Sequence, residues 1–151
     1  MTSATSAGAR KSTAWKSIWS IFASFILVFV LSLGTDQILH MLDVYPPWKK
    51  PMYDPKLNAL ALSYRILFDT LGSYVTARLA PYAPMRHAMI GAAIGFVLSL
   101  AGVIVSVKGN MGPVWYPIAL ALSTLLTAWL GASLFIRNSN VAETDALQPA
   151  H

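Results

Sequence analysis

Four long apolar blocks, separated by short segments that contain proline or glycine, dominate this sequence. Each block holds about 20 residues or more, the length that an α-helix needs to cross roughly 30 Å of hydrocarbon. The blocks predict helices at about 15–42, 56–79, 85–107 and 114–136. The predicted fold class is therefore all-α, an integral-membrane four-helix bundle.

The segments outside these blocks are short and polar. Residues 1–14 and 138–151 are predicted to be tails, the first of them disordered, because small polar residues bury too little apolar surface to fold. Residues 15–137 form one transmembrane domain. Only 11% of the residues are charged, whereas soluble proteins carry roughly 25%. A soluble domain is therefore not expected.

Lysine and arginine flank the apolar blocks instead of forming one basic surface. Cytoplasmic loops carry an excess of these residues. The predicted cytoplasmic side carries Arg10, Lys11, Lys16, Arg78, Arg86 and Arg137, and the outer side carries Lys49, Lys50, Lys56 and Lys108. Both termini are therefore predicted to be cytoplasmic. The expected partners are the lipid bilayer and either a second copy or another membrane subunit, with no nucleic acid.

The first block also has features of a signal peptide. It follows basic residues, and Ser32-Leu33-Gly34 is a small-x-small sequence of the kind that signal peptidase cleaves. Its apolar run is longer than the 7–15 residues, roughly, of a signal-peptide core. We therefore expect the first helix to be retained, with cleavage as the alternative.

The second block departs from the apolar pattern because it contains Arg65 and Asp69, one helical turn apart. A charge near the bilayer centre costs about 2.5–3.5 kcal/mol, so the two side chains need a partner or a use. We favour an ion pair within the helix, which neutralises both charges and locks the helix to its neighbours. The alternative is a contact for an ion or substrate, or a carboxylate that handles protons.

The first block has a polar face at its outer end, where Asp36, His40 and Asp43 follow helical steps. A solvated helix end, with Asp36 paired to Arg65, is the simpler interpretation. The alternative is an outer polar vestibule lined by Asp36, His40, Arg65 and Asp69 that binds a small molecule. A divalent metal at Asp36, His40 and Asp43 is chemically reasonable, but spacing alone does not establish it and none is predicted.

The third and fourth blocks carry small residues at helical spacing in place of charges. Small residues let helix backbones approach closely inside a membrane. The predicted packing residues are Gly91, Gly95, Gly102, Ser123, Thr127 and Gly131. We expect them to pack the third helix on the fourth, and a homodimer interface is the alternative.

Neither a cofactor nor a catalytic site is predicted. The sequence has no cysteine, which removes thiolate metal sites and iron–sulfur clusters. His40 and His87 belong to opposite ends of the predicted bundle, so they cannot jointly hold a haem. The nucleophile-elbow, zinc-protease, phosphate-loop and dinucleotide motifs are all missing. We therefore do not expect an enzyme.

Several short segments within residues 34–131 are similar in sequence to segments of a known group of proteins. They are Gly34-Thr35-Asp36, Ser63-Tyr64-Arg65, Gly72-Ser73-Tyr74, Pro84-Met85-Arg86-His87-Ala88 and Trp115-Tyr116-Pro117. Together they resemble a group of small four-helix membrane proteins of bacteria whose activity is not established. The resemblance implies a bacterial inner membrane and transfers no function. We expect an accessory or structural membrane subunit. The alternatives are a small transporter or channel component, and a membrane enzyme or binder of lipid or cofactor.

Overall fold

The computed structural model describes residues 3–48 and 50–147, and describes side chains from residue 13 to 144 apart from residue 49. Within these ranges the protein is all-helical, as the sequence predicts. The helices are α1 (Ser3–Met41), α2 (Pro55–Leu79), α3 (Pro84–Lys108) and α4 (Trp115–Leu147). The side chains of Arg10 and Lys11, and the whole of Lys49, which enter the predicted charge asymmetry, lie outside the described residues.

Three stretches in the described part of the chain are long and apolar enough to cross a membrane: Thr13–Met41, Pro84–Lys108 and Trp115–Thr144. Their large apolar side chains lie mainly on the outside of the bundle, and the buried positions hold mostly alanine, serine and threonine. A soluble bundle has the opposite distribution. The helices therefore indicate a membrane location. Helix α2 falls outside this set, because it carries Arg65, Asp69 and several other polar residues.

The first and last helices of the chain, α1 and α4, are longer than predicted. Helix α1 begins at Ser3 and α4 continues to Leu147, so both include residues that the sequence assigns to polar tails. Extending an existing helix adds one hydrogen bond per residue without a new nucleation step. Residues 138–147 contain neither proline nor glycine to stop it, and Pro149 follows two residues after the end of α4.

Proline and short polar residues determine where α2 and α3 begin. Asp54 caps α2, since its Oδ1 accepts a hydrogen bond from the Lys56 amide at 2.7 Å, and Pro55 occupies the first turn. Ala83 has a left-handed φ of 41° and precedes Pro84, the first residue of α3. The predicted bounds of these two helices therefore agree with the observed ones to within a residue or so.

Helix α2 lies at the centre of the packing and contacts all three other helices. Helix α4 packs closely on both α2 and α3, whereas α1 packs mainly on α2 and touches α3 only slightly. This order leaves α1 attached to the bundle along one side. It also places the polar face of α2 inside, away from the lipid-facing surface.

Helix α4 packs on α3, the predicted contact, and its Gly131 packs on α2. A Cβ atom added at Gly131 would lie 2.8 Å from Ser73 Cβ and 2.8 Å from the Tyr74 amide nitrogen, so only glycine permits this approach. Thr127 is buried, and Ser123 is half-buried with its hydroxyl donating to the Leu120 carbonyl at 2.8 Å.

Gly91 and Gly95 of α3 face neighbouring helices, whereas Gly102 faces the outside of the bundle. A Cβ at Gly95 would lie 3.3 Å from Thr124 of α4 and 3.6 Å from Phe25 of α1, whereas one at Gly91 would lie 3.6 Å from Ile21 of α1. A Cβ at Gly102 would meet nothing within 4 Å. Of these three glycines, Gly91 and Gly95 therefore lie where α3 approaches its neighbours, and Gly102 does not.

Candidate functional site

An ion pair joins α1 to α2. Arg65 donates from Nη2 to Asp36 Oδ2 at 2.5 Å, and the Tyr64 hydroxyl donates to the other carboxylate oxygen of Asp36. Tyr45, in the loop after α1, lies 3.3 Å from Tyr64 through their hydroxyl oxygens. The charge of Arg65 is thus balanced by Asp36 on the neighbouring helix. The pair within α2 that the sequence favours, Arg65 with Asp69, is not formed.

Serines at helical spacing turn the same face of α1 toward α2. Ser20, Ser24 and Ser32 are buried and follow the register of Asp36. Ser24 shares a hydrogen bond with Thr76 of α2. Such contacts remove polar groups from lipid and hold membrane helices in one register. Asp36 therefore meets Arg65 on the same face of α1 that joins α2 through Ser24.

The Tyr45 side chain covers the ion pair at the end of the bundle. It is buried, and burial raises the pKa of its hydroxyl above the ordinary value of 10.0. Tyr45 therefore stays protonated at neutral pH. Because the Tyr64 proton is committed to Asp36, Tyr45 is the group that donates between the two hydroxyls. The result is a chain of donors that ends on the Asp36 carboxylate.

A cavity of about 540 Å³ lies among the four helices, next to the ion pair. This volume falls within the roughly 300–1,000 Å³ of small-molecule sites. Much of the wall is apolar, and several polar side chains interrupt it. The polar lining residues are Ser24, Ser32, Arg65, Asp69, Ser73, Thr76, Ser99, Thr124 and Thr127. An apolar wall with a few polar groups is the usual composition of a small-molecule site.

Asp69 is the charged group of the cavity that lacks a partner. No hydrogen bond or ion pair from any described side chain reaches its carboxylate, and its nearest helical neighbour, Arg65, is engaged with Asp36. One of the other Arg65 nitrogens, Nε, is enclosed and has no hydrogen-bond partner among the described residues. An ionisable side chain inside a membrane bundle indicates a functional site by default. Asp69 is thus the leading candidate for a ligand contact.

His40 and Asp43 are not part of the cavity. The His40 ring stacks on Trp48, with centroids 4.0 Å apart, and meets the edge of Tyr45 at 5.5 Å. Asp43 follows the last turn of α1 with a left-handed φ of 55° and so leaves the helical face that carries Asp36. Of the predicted vestibule residues, the structure brings Asp36, Arg65 and Asp69 to one region and leaves His40 beside it. Across the described residues, no three His, Cys, Asp or Glu side chains form a metal-binding group.

The loop between α1 and α2 is tied to the turn between α3 and α4. Met52 donates its amide to the Met111 carbonyl at 3.0 Å, and the Tyr53 hydroxyl donates to Asn110 Oδ1 at 2.8 Å. Gly112 lies against Met52, since an added Cβ would be 2.7 Å from the Met52 carbonyl oxygen. These contacts hold the two loops together at the end of the bundle that carries Tyr45.

His87 joins α1 to α3 at the opposite end. It is only 4% exposed, its Nε2 lies 2.9 Å from the Ser17 hydroxyl, and its Nδ1 lies 3.3 Å from the Ala83 carbonyl. The Tyr82 ring meets it edge-on at 5.0 Å. The sequence predicts an interfacial or capping role for His87, and the structure gives it a buried bridging position.

The sequence patterns do not predict that Tyr64 bonds to Asp36. They also do not predict that Ser24 and Thr76 link α1 to α2. Tyr64 reads as an interfacial aromatic because it lies near the end of an apolar block. A signal for the second link is present, since Ser20 and Ser24 extend the spacing of Ser32 and Asp36 toward the start of the helix.

The fold and the cavity together define a class: an all-helical membrane protein with a polar group exposed to an internal cavity. No family model, curated protein or solved structure matches this chain. The function is therefore inferred from the geometry and charge of the cavity.

Proposed function

We propose that this protein is a small multi-pass membrane protein that binds a small molecule in the cavity, as a transporter or channel component, with Asp69 as the polar anchor. The observation that carries this proposal is the pairing of Arg65 with Asp36 in place of Asp69. A charge without a partner is costly inside a bundle. A purely structural role gives no reason to keep such a group on the wall of a cavity.

We further propose that α2 is a fourth span. Its 25 residues correspond to about 37 Å at 1.5 Å per residue, which exceeds the roughly 30 Å of a bilayer core. Its contacts with all three apolar helices shield its polar face from lipid. The positions of lysine and arginine favour cytoplasmic termini, and the sequence resemblance favours a bacterial inner membrane.

Single cysteines test this topology, because the native chain has none that would react. We expect Arg78→Cys and Lys16→Cys to be labelled by a membrane-impermeant maleimide only after the cells are opened. Lys56→Cys and Lys108→Cys should be labelled in intact cells. Labelling of Arg78→Cys and Lys56→Cys from the same side would contradict a transmembrane α2.

Native mass spectrometry of protein extracted gently from its own membrane tests the binding function. We expect the wild type to retain a small molecule in stoichiometric amount. Asp69→Asn should lose it while remaining folded. Asp43→Asn is the matched control, since Asp43 lies beyond the end of α1 and outside the cavity lining, and it should retain the molecule.

Two outcomes would overturn the proposal. A bare chain from wild-type membranes, with no molecule recovered under any gentle extraction, would remove the binding function. A second protein bound in fixed ratio to an otherwise empty chain would instead support the accessory-subunit role that the sequence first favours.

A further inference from the structure

We propose that the molecule bound in the cavity is a lipid-soluble organic ammonium ion, which enters sideways between α1 and α3 and pairs with Asp69. This inference rests on the proposed binding function and specifies its ligand class and its route of entry. Three observations carry it: the charge of the cavity, the direction of its hydrogen bonds, and the position of its opening.

The charged groups of the cavity wall favour a cation. Arg65 and Asp36 neutralise each other across α1 and α2, which leaves the Asp69 carboxylate as the unbalanced charge among the described lining residues. An anion in the cavity would add a third negative charge to Asp36 and Asp69, against the single positive charge of Arg65. An ammonium ion forms a charge-assisted hydrogen bond with a carboxylate, which is among the stronger polar contacts available in a dry site.

Four of the seven hydroxyl groups in the wall also favour a ligand that donates hydrogen bonds. Thr124 donates its proton to the Leu120 carbonyl at 3.1 Å, and Thr127 donates to Thr124 at 3.0 Å. Ser24 and Thr76 likewise lie within bonding distance of carbonyls of their own helices, at 2.9 Å and 3.1 Å. A hydroxyl has one proton and two lone pairs. These oxygens therefore present mainly acceptor positions to the cavity, which suit N–H groups.

The opening of the cavity faces the hydrocarbon. Of the described lining residues, those that are well exposed come from α1 and α3 alone: Ile26 at 45%, Phe29 at 64% and Leu98 at 61%. These two helices touch only slightly, and Gly102, further along α3, has no neighbour within 4 Å of an added Cβ. Leu98 lies about 15 Å from the end of α3 at Lys108, at 1.5 Å per residue. This depth is inside the apolar span.

Contacts already described join segments at both ends of the bundle. The Met52–Met111 and Tyr53–Asn110 hydrogen bonds link the two loops at one end, and His87 joins α1 to α3 at the other. The well-exposed lining residues lie on α1 and α3, which makes the lipid side the proposed route to Asp69. A ligand that takes this route needs an apolar body to partition into the bilayer, and the rings of Phe25 and Phe29 line the route. Aromatic faces also attract cations.

A matched set of three ligands tests the class: 4-phenylbutylammonium, 4-phenylbutan-1-ol and 4-phenylbutanoate. They share one apolar body and differ in the charge of the head group. We expect calorimetric titration of the purified wild type to give at least tenfold tighter binding of the ammonium than of the alcohol or carboxylate. Asp69→Asn should lower affinity for the ammonium about tenfold and leave the alcohol unchanged, whereas Asp43→Asn should change neither.

The result distinguishes this inference from the function it rests on. Equal or tighter binding of the carboxylate or alcohol, or an Asp69→Asn variant that still prefers the ammonium, would overturn the cation assignment while leaving a binding function intact. Failure of all three ligands, together with a bare chain in native mass spectrometry, would remove both. A retained native molecule that is anionic or uncharged would overturn the cation assignment alone.

A pair of neighbouring variants tests the route. Leu98→Trp narrows the opening, and Val97→Trp adds the same side chain at an exposed position that does not line the cavity. In nanodiscs, we expect Leu98→Trp to slow association of the ammonium at least fivefold and Val97→Trp to leave it unchanged. Leu98→Ala should speed association, and it covers the case in which Leu98→Trp fails to fold. Equal rates in Leu98→Ala and wild type would overturn sideways entry.

Discussion

Replacing Asp36 by leucine is the most direct test of how the charges in this bundle are paired. The change removes both the partner of Arg65 and the acceptor of the Tyr64 hydroxyl, while keeping an apolar side chain of similar size. The side chain of Arg65 is 28% exposed and that of Asp36 is 11% exposed, so the remaining Arg65 charge would stay largely out of water. Removing one partner of a buried pair costs about 3–5 kcal/mol.

The matched change Asp69→Leu is expected to behave differently. No described side chain bonds to Asp69, so its loss strands no partner, and it removes an unbalanced charge. We expect a change of less than about 1 kcal/mol, within the range of substitutions away from specific interactions. The double variant Asp36→Leu with Arg65→Leu should recover most of the loss, because an apolar pair of similar volume often replaces a buried ion pair at little cost.

Reversible unfolding in mixed micelles, with increasing sodium dodecyl sulfate, measures these free energies. A double-mutant cycle isolates the coupling of Arg65 with each acid, and contacting residues couple by about 0.5–3 kcal/mol. We expect coupling of this size to Asp36 and almost none to Asp69. A larger coupling to Asp69, with Asp69→Leu as the more damaging single change, would refute the pairing and with it the case for a free carboxylate in the cavity.

Four other substitutions can be followed in the same unfolding assay. Gly131→Ala should destabilise the protein by about 1–3 kcal/mol through overpacking, since its Cβ would lie 2.8 Å from the α2 backbone. Gly102→Ala adds a Cβ that meets no neighbour, so it should be neutral or slightly stabilising. Equal effects of the two substitutions would contradict close α2–α4 packing. His87→Ala leaves a buried bridge unmade and should cost about 1–3 kcal/mol; an unchanged midpoint would mean that the bridge contributes little. Ser24→Ala removes the hydrogen bond to Thr76 and should cost about 0.6 kcal/mol, the average for bonds between membrane helices; a loss of several kcal/mol would contradict that estimate.

The sequence predicts helix positions well where proline marks them. Pro55 and Pro84 define the starts of α2 and α3, and both predicted starts lie one residue away. The start of α1 and the end of α4 are less predictable, because no proline marks the edge of the apolar block there and polar residues continue a helix as readily as they form a tail.

The pairing of Arg65 shows the limit of local patterns. Asp69 is a predicted partner of Arg65 because it lies one helical turn away, and Asp36 is another because it lies at a similar depth in the bundle. The sequence does not choose between them until the packing of α1 on α2 is known. Tyr64, adjacent to Arg65, also bonds to Asp36. Its position in the sequence predicts only an aromatic residue at the membrane interface. The cavity depends on the weak contact between α1 and α3, a property of helix order that no short segment encodes.

The contact between Asp36 and Arg65 also has a consequence for biogenesis. In the proposed four-span topology, helix α2 alone would bring Arg65 and Asp69 into the bilayer, each charge costing about 2.5–3.5 kcal/mol. The partner of Arg65, Asp36, lies in the helix synthesised immediately before α2. The first two helices can therefore enter the lipid as a hairpin in which the Arg65 charge is already paired and Asp69 is the charge left over. A truncated chain of residues 1–83 should integrate α2 efficiently, and Asp36→Leu should leave α2 on the side where it was synthesised.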